Sequence, residues 1–269
     1  MKISVMIAYL LGLPIVSPVF AQAPPGGSPA PSRPPALDWR SDVITAVGTG
    51  QPPSNPVNVA QARAMAIRSA LVDAERNLLS LVQGVAVHAE ATVGSLMTSN
   101  ETIRAKVEGV LKGARHVGQP NYLPDGSVEI TIVVKRSDLA NAVLPETGFA
   151  SSVASSASGA NTGLIIDARG QNLTPALCPR VLDDRGQEVY GPSLVTRDLA
   201  VRAGLVGYAK DPEGARRDGR AGASPLLLKG AGMAGLNRTD VSLSAEDAGK
   251  VRGAGTGFLS QGKVIFVID

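Results

Sequence analysis

Few residues of this chain have the chemistry of a reactive centre. There is one cysteine, Cys178, and there are two histidines, His88 and His116, in 269 residues. A thiol attacks as its thiolate, so a nucleophilic cysteine needs a lowered pKa and a nearby base. Cys178 stands in Ala176-Leu177-Cys178-Pro179, an apolar setting that raises a thiol pKa. We therefore expect a small buried hydrophobe there. A Cys-His pair would have to reach a histidine in a different part of the chain. His88 and Glu90 are expected side by side on the polar face of a strand, and His116 just past a helix end. Zinc requires three or four convergent ligands, and no H-x-x-x-H or H-E-x-x-H spacing is present. Asp183, Asp184 and Glu188 fall within six residues, too few for the twelve-residue loop that wraps calcium. They read as a solvated hairpin tip. The run Arg216-Arg217-Asp218-Gly219-Arg220 would suit phosphate or an acidic partner. Residues 202–220 hold 5 basic and 3 acidic side chains, however, which makes only a modest field.

One stretch has the spacing of a dinucleotide turn: Gly230, Gly232 and Gly235 form G-x-G-x-x-G after an apolar run. That turn works by aiming a helix N-terminus at pyrophosphate. Here Leu-Asn-Arg-Thr-Asp follows Gly235, a turn-like run, and then the strand-like Val241-Ser242-Leu243. With 30 glycines in the chain, such spacings arise by chance. The expected element is a strand that bends at its end. No residue is assigned to catalysis, to a cofactor or to a metal, and no cofactor is expected.

The elements around these residues can be read from periodicity. Val43 to Val47 is an apolar strand, closed by Gly48-Thr49-Gly50-Gln51-Pro52-Pro53. Asn58 with Gln61 forms a capping box. The helix behind it is expected to bury Ala60, Ala64, Ile67, Leu71, Ala74, Leu78 and Leu81, with Asp73 and Asn77 turned away, and to end in a left-handed cap at Gly84. Residues 84–93, GVAVHAEATV, alternate as a half-buried strand. A capping box from Thr98 to Glu101 opens a helix ending at Gly113. Pro124-Asp125-Gly126 turns a hairpin whose second arm points Val128, Ile130, Ile132 and Val134 inward. Ser137 caps a short helix that Pro145 ends. The order β-α-β-α-β-β-α predicts an α+β domain with a mostly antiparallel sheet. Later in the chain, a strand at 163–168, a hairpin at 181–190, a helix at 196–202, a polar loop at 210–225, strands near 226–231 and 240–243, a helix capped by Ser244 and a strand at 263–269 predict a second α+β domain.

The first residues have the plan of a secretory signal peptide: Lys2, an apolar run from Ile3 to Val16, then small residues before Ala21. Processing is expected after Ala21, because Pro24 obstructs the alternative site after Ala23. The expected organisation is a signal peptide at 1–21, a disordered Pro-rich lead at 22–36, domains at 37–146 and 162–269, and a Ser/Ala/Gly linker at 147–161. Removing Lys2 leaves 25 basic and 23 acidic residues, a net of +2. That balance predicts no nucleic-acid partner. No other segment is long enough and apolar enough to span a membrane.

The run from ARAMAIRSALVDAERNLLSLVQGVAV through VEGVLKGARHVGQPNYLPDGSVEITIVVKRSDL, within residues 43–140, resembles the Lpp-twenty family of bacterial envelope lipoproteins. It is more distantly similar to the N-terminal domain of flagellar assembly protein T. The likeness rests on the A-R-x-x-A-x-x-x-A helix ending D-A-x-R-x-L, the Gly-Val strand, the G-x-x-x-G-A step and the D-G-x-V-E-I-x-V strand. The family's lipidated cysteine is missing, so no membrane anchor carries over. The resemblance implies a periplasmic or secreted protein of the cell envelope, a non-enzymatic scaffold, adaptor or assembly factor. Its partners would be other envelope proteins or a second copy of itself. The alternatives are a flagellar outer-ring or motility accessory protein, and a periplasmic hydrolase with a site between the domains.

Overall fold

A computed structural model describes residues 36–153 and 160–269. The expected signal peptide, the lead up to residue 35, and residues 154–159 of the expected linker lie outside the described residues.

The first half is built on one sheet and one long helix. β1 (Ala36–Asp38) pairs with β2 (Val43–Gly50), and α1 (Val59–Gln83) crosses the sheet face. β3 (Ala86–His88) and β4 (Ala91–Thr92) make a tight two-stranded turn, followed by α2 (Val93–Ser99) and α3 (Glu101–Lys112). β5 (Arg115–Tyr122), β6 (Val128–Lys135) and α4 (Arg136–Val143) complete it. The sheet order is β1-β2-β6-β5, antiparallel throughout, so the expected α+β class and sheet type are seen. Val128, Ile130, Ile132 and Val134 point inward as expected, and Gly126 takes φ +84° in the hairpin turn.

The helix and strand meet differently from expectation. Gly48 and Gly50 lie inside β2 and do not end it. A Cβ on Gly48 would sit 2.0 Å from the Ala74 nitrogen, and one on Gly50 2.1 Å from the Ala66 oxygen. The glycines thus bring backbone onto backbone, and only alanine fits opposite. The buried stripe is Ala66, Ala70, Ala74, Leu78 and Val82. Ala60, Ala64 and Leu71 are exposed, while Ile67 and Leu81 are half-buried. The rotation also turns Asp73 and Asn77 toward the sheet, where β1 has stopped pairing. Asp73 Oδ2 accepts from the Thr49 amide at 2.9 Å, and Asn77 Nδ2 donates to the Val47 carbonyl at 2.9 Å. Two helix side chains thereby satisfy an edge that would otherwise be bare.

The caps differ in detail too. Asn58 Oδ1 accepts from the Gln61 amide as predicted, but Gln61 Oε1 returns to the Val57 amide. Gly84 is right-handed, with φ −75°. The expected 84–93 strand breaks at Ala89-Glu90 and gives way to α2, because Thr92 and Ser95 form a reciprocal cap there. Asn100, and not Thr98, caps α3. Ser137 is already inside α4 and bonds to the Asp42 carboxylate.

In the second half, β7 (Gly163–Asp167) precedes the β8 (Val181–Leu182) and β9 (Glu188–Tyr190) hairpin. α5 (Arg197–Ala203), β10 (Gly207–Ala209) and α6 (Pro212–Arg217) follow, so the stretch expected as a polar loop carries a helix capped by Asp211. Then come β11 (Pro225–Lys229), β12 (Gly232–Ala234), β13 (Asp240–Ser242), α7 (Ala245–Gly253), α8 (Gly257–Ser260) and β14 (Val264–Val267). The sheet β10-β14-β7-β11 is wholly parallel. Strands covered on both faces read as continuous apolar runs. Leu164, Ile166 and Phe266 join the main core, while Ile165, Ile265 and Val267 pack with Ala209, Ala215 and Ala221 in a smaller one. The second sheet is β12-β13-β8-β9.

All described residues fall within one compact unit, and one core cluster runs through both sequence halves. The Leu177 and Cys178 amides donate to the Ala86 and Val87 carbonyls, and Asn237 donates to the Ala89 carbonyl. Arg197 grips the C-terminal end of α4 through Asn141, Leu144 and Pro145. The start of the expected linker is held as well, since the Ala150 amide bonds to the Val195 carbonyl at 3.0 Å.

Candidate functional site

Three of the residues singled out from the sequence, His88, Glu90 and Cys178, border one open groove of about 590 Å³. His116 is exposed on β5 and does not join them. The positions follow from the fold. Cys178 is fixed by the hydrogen bond its backbone N–H donates to the Val87 carbonyl, which lays the 176–178 segment alongside β3. His88 ends β3, and Glu90 lies in the tight turn behind it. The opposite wall comes from α3, through Ile103 and the exposed Thr102, and from the end of α4, through Ala142 and Leu144. Phe149 also borders the groove.

On one side of the groove three charged or polar side chains pair with one another. His88 Nδ1 lies 3.0 Å from Glu90 Oε2. The other Glu90 oxygen stands 3.5 Å from Arg180 Nη2. Arg180 is itself committed to Asp240: Nε donates at 2.8 Å and the backbone amide at 3.1 Å. Asp240 is wholly buried, so this pair is part of the frame, and removing Arg180 would strand the Asp240 charge. Burial works against the Arg180 charge, but the hydrogen bond and charge of Asp240 outweigh it and hold the guanidinium above its ordinary pKa. Neither Arg180 nor Asp240 was singled out from the sequence. Both lie in short, irregular surroundings where no periodicity marks the inward face.

Cys178 is 6% exposed, and burial pushes its thiol up to about 12. The negative charges of Asp240 and Glu188 act in the same direction. At neutral pH the group is a thiol, a poor nucleophile. Among the described residues no group of three His, Cys, Asp or Glu side chains is placed to hold a metal.

The remaining sequence candidates lie elsewhere. Asp183 is buried and braces its hairpin: it accepts from the Arg185 and Gln187 amides, and Arg252 Nη2 donates to it at 2.7 Å. That hydrogen bond comes first among the causes holding the Asp183 carboxyl below its usual range. Glu188 accepts from Ser193, and Asp184 is exposed. Arg216 and Arg217 are exposed on α6, whereas Arg220 turns inward. Of the three spaced glycines, Gly230 follows β11, Gly232 begins β12, and Gly235 turns toward β13 with φ +82°. A turn and a strand follow Gly235, where a dinucleotide site would need a helix.

Residues 163–269, which is 107 of 269, match the family model of the second domain of Treponema pallidum Tp0624. The match begins at the first residue of β7 and includes Cys178, Arg180 and Asp240, but not the His88–Glu90 wall. No curated protein matches the chain. Among the described residues, no helix is long and apolar enough to cross a membrane.

Proposed function

We propose that this chain is an exported, non-enzymatic protein of the bacterial cell envelope, a scaffold, adaptor or assembly factor that holds a segment of another envelope protein, or of a second copy, in the groove between α3, α4 and Cys178. One observation carries this reading: the groove is walled mainly by apolar side chains, and on its His88 side the charged groups His88, Glu90 and Arg180 are paired with one another. Such a surface gains free energy by covering apolar area. The leader-like first residues and the resemblance of residues 43–140 to the Lpp-twenty family support the envelope setting. The likeness to flagellar assembly protein T supports a narrower version, an accessory of the flagellar outer ring.

The test uses pull-downs from envelope fractions with the intact protein and with Thr102→Trp. Thr102 is exposed on the groove wall, so an indole there fills the groove without touching the core. Loss of the captured partner with an unchanged melting temperature is expected. Undiminished capture by Thr102→Trp would remove the groove from the function.

A second reading, a hydrolase, draws on the meeting of His88, Glu90 and Cys178 around one groove. It requires a thiolate, and a thiol held near 12 opposes it. Stoichiometric alkylation of the native protein at neutral pH within seconds would favour the hydrolase.

A further inference from the structure

A second cavity, of about 430 Å³, lies where the β1–β2 turn and the start of α4 face the segment 203–208, and it is bordered by two inward-turned arginines. Arg136 is 8% exposed. Among the described residues its guanidinium makes no hydrogen bond: the nearest carboxylate oxygen, Asp42 Oδ1, stands 3.5 Å from Nη2, and Nε is buried without an acceptor. Asp42 cannot swing toward it freely, because both its oxygens already accept from Ser137. Arg220 is satisfied only by carbonyls: those of Gly262, Ala203, Gly204 and Leu205, at 2.6 to 3.0 Å. Among the described residues no carboxylate forms an ion pair with it. Burial first, and then the neighbouring Arg136 charge, depress its pKa.

The backbone is shaped for the two guanidiniums. Gly204, at φ +75°, leaves space that a Cβ would take, 3.1 Å from Arg136 Nη1, and Gly207 does the same 3.1 Å from Arg220 Cδ. The cavity wall thus carries Arg40, Arg136 and Arg220 against Asp42 and Asp218. Asp218 is exposed and accepts from the Arg220 amide. A nearly buried guanidinium held by one long ion pair to Asp42, with its Nε unpaired, is unfavourable unless something completes it. Planar or tetrahedral oxyanions match its fork bidentately.

We propose that this cavity is an oxyanion site, in which Arg136, with Arg220 and Arg40 beside it, receives the carboxylate or phosphate group of a small solute. Arg136 is the anchor. Arg220 is held by carbonyls and supplies field and shape. Arg40, exposed at the mouth, adds the third positive charge.

Melting of the purified protein, titrated with phosphate, with acetate or with chloride at matched ionic strength, tests the site; calorimetry with the same anions gives the affinity. A ligand that binds only the folded state raises the melting temperature saturably. A rise with phosphate or acetate beyond that with chloride is expected, and the better of the two identifies the group. Arg136→Gln should lose the rise. Arg40→Gln, exposed and outside the core, should keep the fold and weaken binding by about tenfold, the scale of one charge-assisted contact. Equal effects of all three anions overturn the proposal, as does an oxyanion-specific rise that persists in Arg136→Gln. If Arg136→Gln does not fold, unchanged affinity in Arg40→Gln overturns it instead.

Discussion

At the scale of the residue, packing distances decide outcomes. Cys178 is buried with its thiol up to about 12, so a thiol reagent should label the native protein slowly and the unfolded protein at once. Cys178→Ala should cost about 1 kcal/mol. The sign of its pH effect follows from the raised pKa. The fold favours the protonated thiol, so its contribution is complete below the unfolded value of about 8.5 and is lost as pH rises above that. Alkaline melts of Cys178→Ala should lack this component, and an unchanged alkaline profile would count against the buried thiol. The glycines give a sharper contrast. Gly48→Ala would force a Cβ to 2.0 Å from backbone and should reach the upper end of overpacking, about 3 kcal/mol. Gly235→Ala meets both φ +82° and Ala89 at 2.2 Å, and should also be severe. Gly232 has nothing within 4 Å, so Gly232→Ala should stay within about 0.5 kcal/mol. Equal losses at Gly48 and Gly232 in urea melts would refute the close-approach account.

At the scale of the element, side chains tie turns and edges into place. Arg252 on α7 holds Asp183 in the β8–β9 hairpin, and the depressed Asp183 pKa makes this pH-dependent. A carboxyl lowered in the fold stabilises above its unfolded value, about 3.9, and that stabilisation is lost as pH falls through the folded value. Arg252→Gln should therefore be less stable than the parent near neutral pH, with the gap closing in acid; a gap constant with pH would contradict the pairing. Elements with strong local signals were legible: the Asn58 cap, the 124–126 turn, the alternation at 128–134 and the 181–190 hairpin. Alternation gives the inward face of β6 directly, since a strand has only two faces. A helix has a continuum of them, and the apolar arc of α1 is wider than the face it buries, since Ala60, Ala64 and Leu71 belong to that arc and are exposed. Its buried face was settled by Gly48 and Gly50 across the interface, which the helix's own sequence does not contain. The groove was half legible for the same reason. His88 and Glu90 sit two apart on one short segment, but Cys178 reaches them only through bonds between strands distant in sequence, and Arg180 and Asp240 pair across 60 residues.

At the scale of the whole molecule, the two sequence halves share one core. Proteolysis within 150–161 should therefore leave two fragments that still co-elute, and separation on gel filtration without denaturant would show the shared core to be weak. The Trp39–Tyr208 edge contact, with ring centroids 5.3 Å apart, offers a fluorescence signal for that association. The central claim is that the groove between α3, α4 and Cys178 is a surface for binding and not a reaction centre. A photo-crosslinking residue placed at Thr102, compared with one at exposed Arg216 on α6, addresses it in the intact envelope. The account predicts a discrete, saturable adduct at position 102 alone, unchanged when His88 and Cys178 are both replaced by alanine. Identical labelling at both positions, or loss of the adduct in that double variant with its fold intact, would contradict it.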